Sequence, residues 1–154
     1  MKPILILGLG NPLQGDDGIG CRVAEEFVGA SVTAPLPDEV EVMDGGTPGV
    51  GLLNFFDERK RVIIVDAAEM GIAPGEFRKF TLHEITLTGS QERFSLHRSG
   101  VADALALARE LKIELPEIIF FGVQPASVEW RDALSPQVQN AVSRVMGAIL
   151  NELK

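Results

Sequence analysis

Four aspartates and one histidine have the types and positions to share a metal or to move a proton. Asp16-Asp17 follow Gly8-Leu-Gly10-Asn11, Asp44 precedes Gly45-Gly46, and Asp66 closes the apolar run Val62 to Val65. Histidine occurs only at His83 and His97, and cysteine only at Cys21. Two carboxylates and an imidazole make a borderline, incomplete ligand set that leaves positions open for water or substrate. With no thiolate, such a site would not hold a metal tightly by itself. Asp66 should be at least partly buried, and a buried carboxylate is costly unless it is paired or coordinates a metal. His97 stands just before Arg98-Ser99-Gly100 and a helical pattern. Near a helix N-terminus the dipole disfavours imidazolium and keeps a nitrogen lone pair available.

Each of these residues also has a plain structural reading. Asp16 or Asp17 would serve equally as the cap of a helix beginning near Gly18. Asp44-Gly45 is a turn signal, and a lone histidine in a loop is commonly a surface residue. His83-Glu84 resembles the start of a zincin motif, but position 87 is Leu and the segment lacks helical periodicity. Cys21 falls inside the first helix, where a small core residue is expected. The chain has no Gly-x-Ser-x-Gly elbow for a serine nucleophile.

The elements that must position these side chains follow from the hydropathy pattern. Pro3 to Gly8, Val40 to Met43, Val62 to Val65 and Ile118 to Phe121 are short, apolar and rich in β-branched or aromatic residues. Such runs read as strands buried on both faces of a parallel sheet. Phe77 to Leu82 is less regular and reads as an edge strand. Val101, Ala104, Leu105, Ala108 and Leu111 mark one amphipathic helix. Val138, Ala141, Val142, Val145, Ile149 and Leu153 mark another, opened by Ser135-Pro136 as a capping hydroxyl and a first-turn proline. Strand and helix alternate, which predicts a single three-layer α/β domain. Ligands in such folds bind outside the carboxyl ends of the strands. Three successive strands would deliver Asp17, Asp44 and Asp66 to that edge, and a later one ends in Gly122-Val-Gln-Pro125.

Composition narrows the partners. The chain has 154 residues, 45% hydrophobic and 23% charged, enough for one core and too apolar for disorder. A net charge of −8 and a pI of about 4.7 argue against a nucleic-acid partner, which needs clustered Lys and Arg. The densest basic group, Arg59-Lys60-Arg61, precedes an apolar run and reads as a solvated turn. A single cysteine fits a reducing compartment, hence the cytoplasm. The basic, apolar start is too short for a signal peptide and lacks a small-residue cleavage site. No apolar run approaches membrane-spanning length.

Gly8-Leu-Gly10-Asn11-Pro-Leu-Gln-Gly-Asp16-Asp17-Gly18-Ile-Gly20 resembles the N-terminal signature of the hydrogenase maturation proteases. Asp44-Gly-Gly-Thr-Pro-Gly49 is similar to that family's glycine-rich loop, Val65-Asp66-Ala67 to its second acidic position, and Ser95-Leu-His97 to its histidine. Gly122-Val-Gln-Pro125 and the helix beyond it are similar to its C-terminal portion. The resemblance implies an α/β/α sandwich around a mostly parallel, five-stranded twisted sheet. It implies an endopeptidase that removes a short C-terminal extension from the large-subunit precursor of a nickel-iron hydrogenase after nickel insertion. It also implies nickel ligation by Asp17, Asp66 and His97, and a role for Asp44 at the scissile bond. The family carries Glu or Asp as the first ligand; Asp17 is the shorter arm. The nickel is expected to arrive already held by the precursor's cysteines, with cadmium or zinc able to substitute in crystals. Two alternatives share the opening motif. A peptidyl-tRNA hydrolase would place a histidine where Asp16-Asp17-Gly18 stand. A dinucleotide-binding module would need a third glycine at position 13, which is Leu, and Asp16-Asp17 would repel a pyrophosphate.

Overall fold

The computed structural model describes residues 1–30, 34–88 and 100–154. Each apolar run forms a strand: β1 is Ile4–Leu9, β2 Val40–Gly46, β3 Arg61–Ala67, β4 Phe77–Thr81 and β5 Glu117–Val123. They lie in one five-stranded sheet of order β2-β1-β3-β5-β4. The first three and β5 are parallel, and β4 runs antiparallel along the edge of β5. The expected mostly parallel sheet and its irregular edge strand are both present.

Side chains alternate across the two faces of the central strands. Leu5, Leu7, Val62, Ile64, Ile118 and Phe120 point to one side. There they pack with a 3-10 turn at Gly49–Phe55, α2 (Leu82–Thr88) and α3 (Val101–Glu110). Ile6, Ile63, Val65, Ile119 and Phe121 face the other side. They meet α1 (Ile19–Ala30) and α4 (Pro136–Glu152). Two apolar cores on one sheet make the three layers. Two glycines let α1 lie directly on the sheet. A Cβ on Gly8 would sit 2.0 Å from the Gly20 carbonyl oxygen, and one on Gly20 would sit 2.2 Å from that of Val65. Here these glycines of the opening motif serve helix–sheet contact.

Four local expectations need correction. The segment around His83, read as lacking helical periodicity, is helical and forms α2. Its Ile85 and Leu82 pack on the sheet, and that tertiary contact outweighs the weak periodicity. Leu111 lies past the end of α3 and is exposed. In the basic group at the start of β3, Lys60 is exposed but the two arginines are ion-paired and largely buried. Arg59 reaches Glu41 at 2.6 Å, and Arg61 reaches Glu152 at 2.9 Å. The Arg59 guanidinium accordingly holds the Glu41 carboxyl below its usual range. Finally, Ser135 precedes α4 as expected but its hydroxyl does not cap the helix; it donates to Asp16 instead.

Candidate active site at the carboxyl edge of the sheet

The pairing register sets the site. Gly8 of β1 faces Asp44 of β2 on one side and Val65 of β3 on the other. Asp44 and the residue preceding Asp66 therefore occupy one row, two strand spacings or about 10 Å apart. Asp66 lies one step further along β3, opposite Gly122 of β5. The β1 strand ends in the same row, and the chain leaves it through Asn11 towards the acidic pair.

Asp16 and Asp17 are adjacent and both buried, yet they do different things, and neither is the expected helix cap. Asp16, 1% exposed, accepts the backbone N–H groups of Ala126, Ser127 and Ser135 at 2.8, 3.2 and 2.7 Å. It also accepts the Ser135 hydroxyl at 2.7 Å. One carboxylate thus staples the loop between β5 and α4 to the start of α1. Asp17, 2% exposed, accepts the Asn11 N–H at 2.9 Å through Oδ2. Gly10 makes this possible with φ +124°, since a Cβ there would lie 1.8 Å from the Asp17 carbonyl oxygen.

Asp66 is also 2% exposed, and its Oδ1 accepts the Ala67 N–H at 2.8 Å. The loop beyond it is held by Gln124, a buried amide whose individual role the motif did not reveal. Gln124 Oε1 accepts the Met70 N–H at 2.7 Å, and its Nε2 donates to Glu69 at 2.8 Å. A buried polar side chain placed just past a strand end was the available signal.

Asp44 is the exposed member of the edge. Its Oδ1 accepts the Gly46 N–H at 2.9 Å and the Cys21 thiol at 3.1 Å. The glycines after it are part of β2, and Gly45 is packed: a Cβ there would meet Leu9 at 2.8 Å. The turn read at Asp44-Gly45 is instead a strand end. Cys21 is buried, as expected of a core residue, and also donates to a candidate site residue. Burial, then the hydrogen bond to Asp44 and the charges of Asp44 and Asp66, push its thiol far above the usual range. At neutral pH it is a protonated donor and not a thiolate nucleophile. Cys21→Ala should therefore stay folded and lose about fivefold in processing rate, the net worth of one ordinary hydrogen bond. Complete loss in a folded variant would show covalent thiol chemistry instead.

His97 lies outside the described residues. Its downstream neighbour Gly100, which precedes α3, sits against the loop after β2: a Cβ on Gly100 would lie 2.5 Å from Gly49 Cα. Among the described residues, no three His, Cys, Asp or Glu side chains are grouped closely enough to hold a metal ion. Also among these residues, no helix is long and apolar enough to cross a membrane.

The sequence and its fold have close counterparts. A family model for hydrogenase maturation protease matches residues 21–152. The hydrogenase expression/formation protein HupD of Bradyrhizobium diazoefficiens is 33% identical over 141 residues, covering 91% of this chain and 72% of that protein. The hydrogenase 2 maturation protease of Escherichia coli is 33% identical over 152 residues, covering 98% of this chain and 90% of its own. The structure of the hydrogenase maturating endopeptidase HybD from E. coli superposes with a TM-score of 0.81 at 34% identity, covering 99% of this chain and 92% of that one. The family match spans β2 to β5, α1 from Cys21 and α4, and the E. coli relative extends the aligned length over β1 and the N-terminal motif. This chain belongs to the hydrogenase maturation protease family and is a peptidase of hydrogenase maturation.

Proposed function

We propose that the protein removes the C-terminal extension from a nickel-iron hydrogenase large-subunit precursor once nickel has been inserted, engaging that nickel through Asp17, Asp66 and His97. The observation that carries this reading is the burial of two carboxylates, Asp17 and Asp66, at the carboxyl ends of adjacent central strands. Oxygen and imidazole donors suit a borderline metal but hold it weakly without thiolates. The metal is thus the substrate's cargo, and cleavage depends on its presence. His97 is the third ligand. It stands three positions before Gly100, so the chain can carry it at most about 10 Å from that point. The single buried thiol fits a cytoplasmic setting.

Asp44 is the acid we assign to positioning or proton transfer at the scissile bond. It is exposed, and its thiol and backbone donors fix one oxygen while the carboxylate edge faces outward. Asp44→Asn keeps an acceptor for Cys21 and Gly46, so Tm should stay nearly unchanged. Cleavage should slow by about 10²–10⁴-fold, the usual worth of a positioned acid or base. An unfolded variant that cleaves normally per folded molecule would make Asp44 a turn residue only. The reading as a whole is tested by incubating the protein with nickel-loaded and nickel-free precursor and following the C-terminal peptide by mass spectrometry. Peptide release from the loaded form alone is expected; equal release from both would sink the nickel dependence, and release from neither the processing role.

A further inference from the structure

Beside Asp17 stands an apolar patch that the catalytic reading does not use. Leu13 is 56% exposed and Trp130, the chain's one tryptophan, is 75% exposed. They lie 117 positions apart in sequence but next to each other in space. Gln14 and Arg131 form a parallel bridge, with Arg131 N–H donating to the Leu13 carbonyl and Gly15 N–H to the Arg131 carbonyl, both at 2.8 Å. One step back along that pairing places Trp130 beside Leu13. In a parallel pairing, such opposed residues project to the same side.

The patch is held rigidly. Asp16 N–H donates to the Ser127 carbonyl at 3.0 Å, and the Asp16 carboxylate binds three backbone N–H groups of the same loop. The backbone that presents two large apolar side chains to water is thus tied down, with charged Glu129, Arg131 and Asp132 exposed around them. A preorganised apolar centre with a polar rim is the anatomy of a binding surface. Its place says what covers it. Leu13 lies in the short loop between Asn11, whose N–H is bound by Asp17, and Asp17 itself. A peptidase must seat a polypeptide across its reacting edge, and this patch continues that edge outward.

We propose that Leu13 and Trp130 dock an apolar side chain of the hydrogenase precursor next to the bond to be cut. This rests on the carboxyl edge around Asp17 being the processing site. The protein has one tryptophan, so labelling it with 5-fluorotryptophan gives one ¹⁹F resonance, that of Trp130, whatever tryptophans the unlabelled precursor contains. Adding nickel-loaded precursor should shift and broaden that resonance. The shift should persist with Asp17→Ala, which docks without cutting. In steady-state processing, Trp130→Ala should raise KM about thirtyfold, as loss of an aromatic anchor does. Its kcat should change far less. Leu150→Ala, at an exposed apolar position on α4, should alter neither. Cleavage with an unmoved resonance and an unchanged KM would overturn the docking surface while leaving the protease reading intact. A shift with no cleavage by the wild type would keep the surface and remove the processing role. A resonance that moves with protease concentration alone, without precursor, would assign the patch to a second copy of this chain and overturn the proposal.

Discussion

Replacing Asp17, Asp66 or His97 by alanine is expected to abolish nickel-dependent processing, with losses beyond the roughly 10–100-fold that removal of an outer-shell partner of a metal costs. The argument is one of donor count. An open site built from two carboxylates and one imidazole has no spare ligand, so each deletion leaves the metal with two protein donors. The losses should therefore be alike and should not add: the Asp17→Ala/Asp66→Ala double variant should be no slower than either single one. Stability should separate the three. Asp17 and Asp66 are buried and hydrogen-bonded, so their removal also lowers Tm, and Asn variants at each position serve as the conservative controls. Metal titration adds a readout independent of turnover. His97→Ala should weaken cadmium and zinc binding far more than magnesium binding, because imidazole is a borderline donor and magnesium prefers oxygen. In a crystal soaked with cadmium, the ion should lie about 2.0–2.5 Å from carboxylate and imidazole atoms together. A folded His97→Ala variant that cuts at the wild-type rate, or a soaked metal that His97 does not touch, would rule out the shared site.

The largest stability loss should come from the neighbouring residue. Asp16→Ala removes the acceptor of three backbone N–H groups and one hydroxyl, all gathered in the loop before α4. The two Ser135 donors would be left buried without a partner, and the part-buried N–H groups of Ala126 and Ser127 would lose theirs, at about 1–3 kcal/mol each where they cannot relax. A total of about 3–5 kcal/mol is expected once the loop has partly opened. For a chain of this length that is a fall of about 10–15 °C in Tm. Asp16→Asn should be intermediate. Its oxygen keeps part of the network, while its amide would turn a donor towards donors. Ser135→Ala should cost less than either, since it deletes one hydroxyl and leaves Asp16 with its three amides. A Tm for Asp16→Ala within a degree or two of wild type would show that the loop finds other partners. Because the same carboxylate fixes the Trp130 loop, Asp16→Asn should also raise KM in processing at a temperature where the variant remains folded.

The contrast between these two aspartates shows where local pattern stops. Their sequence positions are equivalent for a cap or a ligand, and nothing within a few residues separates them. What separates them is a loop more than a hundred residues away, which claims Asp16 and leaves Asp17 to Asn11. The same holds for Ser135, whose place before Pro136 predicts a cap while Asp16 takes its hydroxyl. Arg59 and Arg61 read as solvent-facing until β2 and α4 bring Glu41 and Glu152 to them. Cys21 reads as a small core residue, and only the packing of α1 on the sheet sets its thiol against Asp44. The helix at Leu82–Thr88 forms because Leu82 and Ile85 find the core, not because its own periodicity is strong.

The strands and the two long amphipathic helices were legible because their signal is local. A run apolar at every position can be buried on both faces only in a covered parallel sheet, and a period of 3.6 residues can bury only one stripe of a helix. The acids at the ends of β2 and β3 were legible for the same reason, since a strand end is a local feature and the ligand edge of such sheets lies there. Which acid is a staple, which is buried beside it and which faces outward depends on partners distant in the chain. Hydrogen bonds of that range leave no periodicity in a sequence, and only the folded chain brings their two ends together.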